Sequence, residues 1–200
     1  MIQTIRSLLV IIHNPFAKPK KPDGVFKHHF RVMPWDCDLN FHLTNARYPQ
    51  QLDLARTNFL LKIGTAWLFA KMGWRSVLAS QTLTFIREIK PLSEVTIETQ
   101  VLSWDRKYLY MENRFMVEGR LHAKALARIA VLKNGRVLPF GDMLRDVAKV
   151  HKLDEAKLPQ SPSTTPAQAQ AMIDLLGEMR IAEEQRVEEA SETEAIAAVK

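Results

Sequence analysis

One helix-period segment followed by four strand-like runs confines the chain more than any other feature. Between Asn45 and Ile63 apolar residues recur at steps of three or four, through Tyr48, Leu52, Ala55, Phe59 and Ile63 with Leu60 beside them. That spacing makes one apolar helix face. Downstream the period changes to that of strands, over residues 77–89, 95–104, 108–118 and 121–132, most strictly in Val95, Ile97, Thr99 and Val101. Short polar turns separate these runs, at Pro91-Leu92-Ser93, Asp105-Arg106-Lys107 and Gly119-Arg120, and Asn134-Gly135 is a hairpin signal. An earlier alternating run, 25–33, ends at Pro34. One strand, a long helix and successive antiparallel strands predict an α+β fold, a curved sheet wrapped on a helix.

The helix boundaries are marked. Thr44 or Asn45 suits the N-cap, and Pro49 is tolerated only in the first turn, where its missing N–H needs no partner. Gly64 suits a left-handed C-cap. Residues 65–72 form a short second helix closed by Gly73, and 142–152 a terminal one.

Outside this domain, 25–152, the composition shifts. Residues 1–24 read as an arm and a Pro/Lys-rich linker. Residues 153–200 read as a Pro/Ser/Thr linker and an acidic tail, disordered or weakly helical because few large apolar groups follow Met179. The apolar run 8–12 is far short of the ~20 residues that span a bilayer. It lacks a small-residue cleavage site, so a secretory signal is not expected. Followed by Lys18, Lys20, Lys21 and Lys27, the arm either packs on protein or touches an anionic membrane surface. The expected location is cytoplasmic, with membrane association if the arm engages lipid.

Cys37 is the single cysteine, which excludes an intrachain disulfide framework and a cysteine-built zinc site. From Lys157 onward four Lys/Arg stand against eight Asp/Glu, so the remainder carries +10 of the chain's net +6. A basic body admits nucleic acid, a phosphorylated cofactor or acidic lipid. Aromatic and basic residues interleave too sparsely for a single-strand platform, and no nucleic-acid partner is expected.

The chemistry concentrates in Trp35-Asp36-Cys37-Asp38-Leu39-Asn40-Phe41-His42-Leu43-Thr44-Asn45-Ala46-Arg47-Tyr48, just ahead of the long helix. A helix start offers unpaired N–H groups and partial positive charge, which can hold a developing oxyanion. Asp36 and Asp38 share a side if extended and diverge in a turn, where Asp also bonds its own backbone. His42 suits a ligand, a base or a turn residue; Cys37 and His42 form a conceivable nucleophile–base pair that nothing local orients. A metal site would need ligands beyond these and His28 and His29, and none is expected. Arg106 and Lys107 at a hairpin tip read as a solvated turn or a phosphate grip. Trp35, Trp67, Trp74 and Trp104 suit a core or an interface.

Residues 36–48 resemble the D-x-D-x-N-G-H-V-N-N-A-x-Y signature of the 4-hydroxybenzoyl-CoA-thioesterase-like hotdog proteins. Leu54-Ala55-Arg56 is similar to the E-x-A-R that follows, and Phe85-Ile86-Arg87-Glu88-Ile89-Lys90-Pro91-Leu92 and Glu98-Thr99-Gln100-Val101-Leu102-Ser103-Trp104 resemble the middle strands. The nearest likeness is to the branch of thioesterase superfamily member 6, over about residues 25–140. The resemblance implies a hotdog fold, homodimers or tetramers with interfacial active sites, and hydrolysis of acyl-CoA to acid and free CoA without a separate cofactor. By position it implies that Asp38 is the catalytic carboxylate, as nucleophile or general base, and that the Asn45 N–H polarises the thioester carbonyl. It places Phe41 and His42 beside the substrate and Arg106 and Lys107 on the CoA phosphates.

Two positions depart from the signature. Thr44 replaces the first Asn of the pair. Phe41 stands where the family usually has Gly, and at positive φ a Phe is costly. A rearranged loop, a narrowed acyl pocket or lost activity would follow. The alternative reading is therefore a non-catalytic acyl-CoA- or lipid-binding hotdog protein, peripheral to a membrane.

Overall fold

The alternation in the strand runs becomes a single antiparallel sheet that curls around one helix. A computed structural model describes residues 20–198. It contains β1 (Phe26–Arg31), α1 (Arg47–Lys62), α2 (Ala66–Met72), β2 (Trp74–Phe85), β3 (Glu94–Trp104), β4 (Leu109–Val117), β5 (Arg120–Lys133), β6 (Arg136–Val137), α3 (Phe140–His151) and α4 (Ala167–Ala198). The sheet order is β1-β3-β4-β5-β2, with β6 returning on β5. Asn134 and Gly135, at φ 52° and 77°, make that return in the left-handed conformation such a turn requires. Register shifts at Leu78/Ser80, Val101/Ser103 and Phe115/Met116 add bulges that bend the strands.

The helix stripe divides its burial between two apolar clusters. Tyr48, Leu52 and Ala55 pack with Val95, Ile97, Phe115, Ala123 and Ala125. Phe59 and Ile63 pack with Val101, Met111, Ile129 and the inner face of α3. Alanines on β5 leave room for the helix, and Phe26 meets Phe59 edge-on at 4.9 Å. On the outer face, Lys27, Glu98, Arg114 and Lys124 stand in register across four strands. Their ion pairs include Lys27–Glu98 at 3.3 Å and Arg114–Glu98 at 2.5 Å.

Several boundaries differ from expectation. The N-cap of α1 is Ala46, without a side-chain cap, because Thr44 O takes the Arg47 N–H in a preceding turn at 2.9 Å. Pro49 therefore lies in the first turn. Gly64, at φ 78°, follows the helix end, and left-handed Gly73 closes α2. β2 begins at Trp74, straight after that cap, and stops at Phe85; residues 86–89 leave the ladder. The acidic tail is one continuous helix, α4, where the sequence predicts disorder or weak helicity. Its Ala, Glu, Gln, Met and Arg content favours helix without a core, and Arg180–Glu184 at 3.2 Å adds local support. The boundary between Ser163 and Thr164 separates two compact units. The apolar run 8–12 lies outside the described residues. Among those residues no helix is long and apolar enough to cross a membrane.

Candidate active site

The loop between β1 and α1 closes on itself before the helix begins. Cys37 and Leu43 form an isolated antiparallel bridge. Inside it the Asp38 N–H donates to His42 O at 2.9 Å and the Phe41 N–H to Asp38 O at 3.0 Å. Asp38 Oδ1 accepts the N–H groups of Asn40 and His42 at 2.9 and 3.3 Å. The carboxylate thus shapes the turn with one oxygen, while Oδ2 has no hydrogen-bond partner among the described residues. Asp38 is exposed and so is Asn45.

Asp36 behaves oppositely. It is fully buried, accepts the Met33 N–H at 3.2 Å and pairs with Arg47 Nε at 3.3 Å. Asp36 O also takes the Thr44 N–H at 3.0 Å. It ties the loop to the first residue of α1 and has no solvent access for a reaction. Around that junction Tyr48 is buried, and its phenol is pushed up to about 12 by burial. It packs edge-on against Phe85 at 4.9 Å.

Phe41 takes φ 58° with its ring 74% exposed. A Phe here adopts the left-handed conformation that glycine takes without strain. Leu39, at 98% exposure, stands beside it on the loop tip. Burial, then the charges of Asp36 and Asp38, push the Cys37 thiol up, which disfavours a thiolate nucleophile. His42 does not face Cys37 in any hydrogen bond; its Nε2 lies 2.8 Å from Glu88 Oε2.

The segment after β2 holds the loop from the other side. Ile89 O accepts the Leu43 N–H at 2.8 Å, while Glu88 O meets His122 Nδ1 at 2.8 Å. Arg87, Lys90, Arg120 and His122 line an open cleft of about 460 Å³ with Glu88 and Glu118. These residues adjoin the loop, and nothing in the turn pattern singles them out: Arg87 and Lys90 follow β2 while Arg120 and His122 open β5, so they meet only in the folded sheet.

Arg106 and Lys107 lie elsewhere. They cap the β3–β4 turn, where Asp105 Oδ1 accepts the Lys107 and Tyr108 N–H groups, each at 2.7 Å, and Lys107 Nζ sits 5.0 Å from the Tyr108 ring centroid. The loop adjoins the opposite end of β3, because Ser93 O accepts the Val32 N–H at 3.0 Å and Glu94 pairs with Arg31. An eleven-residue strand separates the two ends, roughly 33 Å at ~3.3 Å per residue. Within one protomer the structure brings Asp38, Phe41, His42 and Asn45 into one short segment and leaves Arg106 and Lys107 a strand length away.

A curled antiparallel sheet on a central helix, with an acid-bearing turn at the helix entrance, is the hotdog architecture. The profile of the thioesterase-like superfamily matches residues 32–148. The chain belongs to that superfamily. It is 31% identical over 114 residues to Protein THEM6 of Xenopus laevis, covering 56% of this chain and 55% of that protein. It is 30% identical over 105 residues to "Probable thioesterase YBR096W" of Saccharomyces cerevisiae, covering 52% and 46%. The matches thus span about half the length of these curated relatives. Among solved structures it resembles the hypothetical protein SAV2348 of Staphylococcus aureus, in complex with CoA, at TM-score 0.58 and 16% identity over 76% of this chain and 96% of that one. That likeness shows the fold.

Proposed function

We propose that the protein hydrolyses acyl-CoA thioesters, with the loop of residues 36–48 as its active site. The observation that carries this reading is the arrangement of Asp38: one carboxylate oxygen is spent on the turn and the other is unpartnered, next to a helix entrance. The CoA-bound neighbour of the same fold supports the substrate class.

The Asn45 N–H, two residues ahead of α1, has no hydrogen-bond partner among the described residues and serves as donor to the thioester oxygen. Two routes fit. Asp38 attacks the carbonyl carbon, the C–S bond breaks, CoA leaves as thiolate and water hydrolyses the resulting anhydride. Alternatively Asp38 takes a proton from water, whose oxygen attacks the carbonyl, and the same C–S bond breaks. Either way Asp36 supports the loop, His42 and Phe41 border the substrate, and no separate cofactor takes part.

The active unit in this reading is a homodimer or larger. Among the described residues β2 pairs only with β5, which leaves its outer edge open there, and Val77 and Leu78, on opposite faces, are 40% and 45% exposed. Long, apolar edges invite a second copy. A second protomer is also what would carry Arg106 and Lys107 to the CoA phosphates.

The test is release of free thiol from a panel of acyl-CoAs by the wild type and Asp38→Asn. Asparagine keeps an acceptor for the Asn40 N–H, so the turn survives while the carboxylate is lost. A fall of about 100-fold or more is expected. Equal turnover by the variant on every substrate would overturn the assignment. Turnover in ¹⁸O-labelled water tests the nucleophilic route: water that attacks the aspartyl carbonyl of the anhydride leaves label in the Asp38 carboxylate, whereas general-base attack puts label only in the product acid.

A further inference from the structure

A second candidate site lies at the other end of α1. The helix is sixteen residues long, about 24 Å at ~1.5 Å per residue, and Ile63 at its foot floors a cavity of about 250 Å³. Leu144 and Val147, three apart on α3, form one wall. Lys152, in the left-handed conformation at φ 54°, turns the chain back so that Leu153 and Leu158 form the other. The mouth is different in character: Lys20, Lys21 and Lys157 line it, and Asp154 is the one carboxylate among the described lining residues.

We infer that this cavity binds an amphipathic carboxylate, a fatty-acid-like molecule whose alkyl tail fills the Ile63–Leu144–Val147 floor while its head group meets the lysines at the mouth.

The charge distribution argues for an anion. Asp154 is engaged by Lys157 at 3.3 Å, and neither Lys20 nor Lys21 meets a carboxylate among the described residues. The Lys20 N–H donates to Lys62 O at 2.8 Å, which ties the lysine-bearing segment to the foot of α1, while the Lys62 ammonium donates to Lys27 O at 2.9 Å. Burial, and then the charge of Lys20, pull the Lys62 ammonium down. The apolar walls argue for a tail. Removing alkyl surface from water supplies the affinity, and a few polar groups at the mouth set the orientation. Inorganic phosphate would leave the walls unused, and an uncharged lipid would leave the lysines unanswered. The inference rests on this cavity and its charges, independently of thioester hydrolysis.

The experiment titrates sodium decanoate and, separately, 1-decanol into the full-length protein, following backbone amides by NMR. Saturable shifts at Leu144, Val147, Leu153 and Leu158 are expected with decanoate, and about tenfold weaker binding of decanol. Lys21→Glu/Lys157→Glu, changes at exposed positions, should weaken decanoate about tenfold and leave decanol unchanged. Because binding is read without turnover, an inactive hydrolase would not affect the result. Shifts confined to the 36–48 loop, equal affinity for both probes, or a charge-reversed variant that binds decanoate as the wild type does would each overturn the site.

Discussion

His42 Nε2 lies 2.8 Å from Glu88 Oε2, and this contact joins the acid-bearing loop to the segment that follows β2. His42 also closes the loop through its backbone, giving its N–H to Asp38 Oδ1 and taking the Asp38 N–H on its carbonyl. Glu88 therefore acts on Asp38 through His42, as a positioning residue. Both side chains are substantially solvated, so the pair is worth about 0.5–1 kcal/mol of loop order. Glu88→Gln should lower kcat by about two- to fivefold with little change in KM, and increase amide exchange at Asn40 and Phe41. Unchanged exchange would show that Ile89 alone holds the loop.

Asp36 and Asp38 separate by assay. Asp36 is buried against Arg47, and removing its carboxylate strands a cation that is itself mostly covered. Asp36→Ala should destabilise the fold by about 3 kcal/mol, measured by urea unfolding. Asp38→Asn should leave the unfolding free energy within about 0.5 kcal/mol of wild type. If Asp36→Ala is the milder change in stability, the loop is not anchored through Arg47.

Phe41 carries a cost that glycine would remove. At φ 58° an L side chain loses about 1–2 kcal/mol relative to the right-handed regions, and the exposed ring recovers little by burial within the protomer. Phe41→Gly should stabilise the protein by about 1 kcal/mol, raising Tm by roughly 3 °C. The same variant reads the ring's role: faster hydrolysis of bulky acyl-CoAs shows that Phe41 narrows the acyl pocket. An unchanged or lowered Tm would show that the ring is held by contacts outside one protomer.

How far the sequence discloses this molecule depends on whether the information is local. The stripe from Tyr48 to Ile63 announces α1, and strict alternation announces β3, because each signal is a period along one element. The Asp38 turn is also local, with donors and acceptor inside five residues. The Glu88 contact is not, since it joins residues 46 apart through the end of β2. Arg106 and Lys107 look close to the site only while strand direction is ignored. β2 begins earlier than its pattern shows because it is exposed on both faces along Arg75–Ala79, so alternation has nothing to mark. The α4 helix is legible only as weak helicity because its apolar signal is short: Ala169 and Met172 are buried near its start, while most of the described side chains beyond are exposed and helix propensity carries the rest.

The open edge of β2 makes the assembly testable. Val77 and Leu78 project from opposite faces of a strand that has no outer neighbour among the described residues, so a charge there would meet its own copy across a two-fold contact. Leu78→Lys should shift the sedimenting species from dimer to monomer without loss of sheet by circular dichroism. If Arg106 and Lys107 reach CoA from the partner, the monomer should also raise KM by about tenfold, as should Arg106→Glu in the intact dimer. A monomeric wild type would remove both the interface and the reach of that hairpin. Retained affinity in Arg106→Glu, with loss in Arg87→Glu or Arg120→Glu, would assign the phosphates to the cleft beside the loop instead.

His28 sets an acid limit on the fold. It lies on β1, its Nε2 is buried without a hydrogen-bond partner among the described residues, and burial, then Lys62 and His29, push it down to about 4 from 6.5. The folded state thus keeps His28 neutral where the unfolded chain protonates it. Between pH 6.5 and 4 the unfolded state binds more protons, so stability is complete above 6.5 and falls as pH drops through that window. The loss amounts to roughly 2–3 kcal/mol at its fullest. His28→Leu removes the titrating group while keeping apolar contact, so its unfolding free energy should be flatter with pH over the same window. Parallel pH profiles for wild type and His28→Leu would show that His28 is not the group that limits the fold in acid.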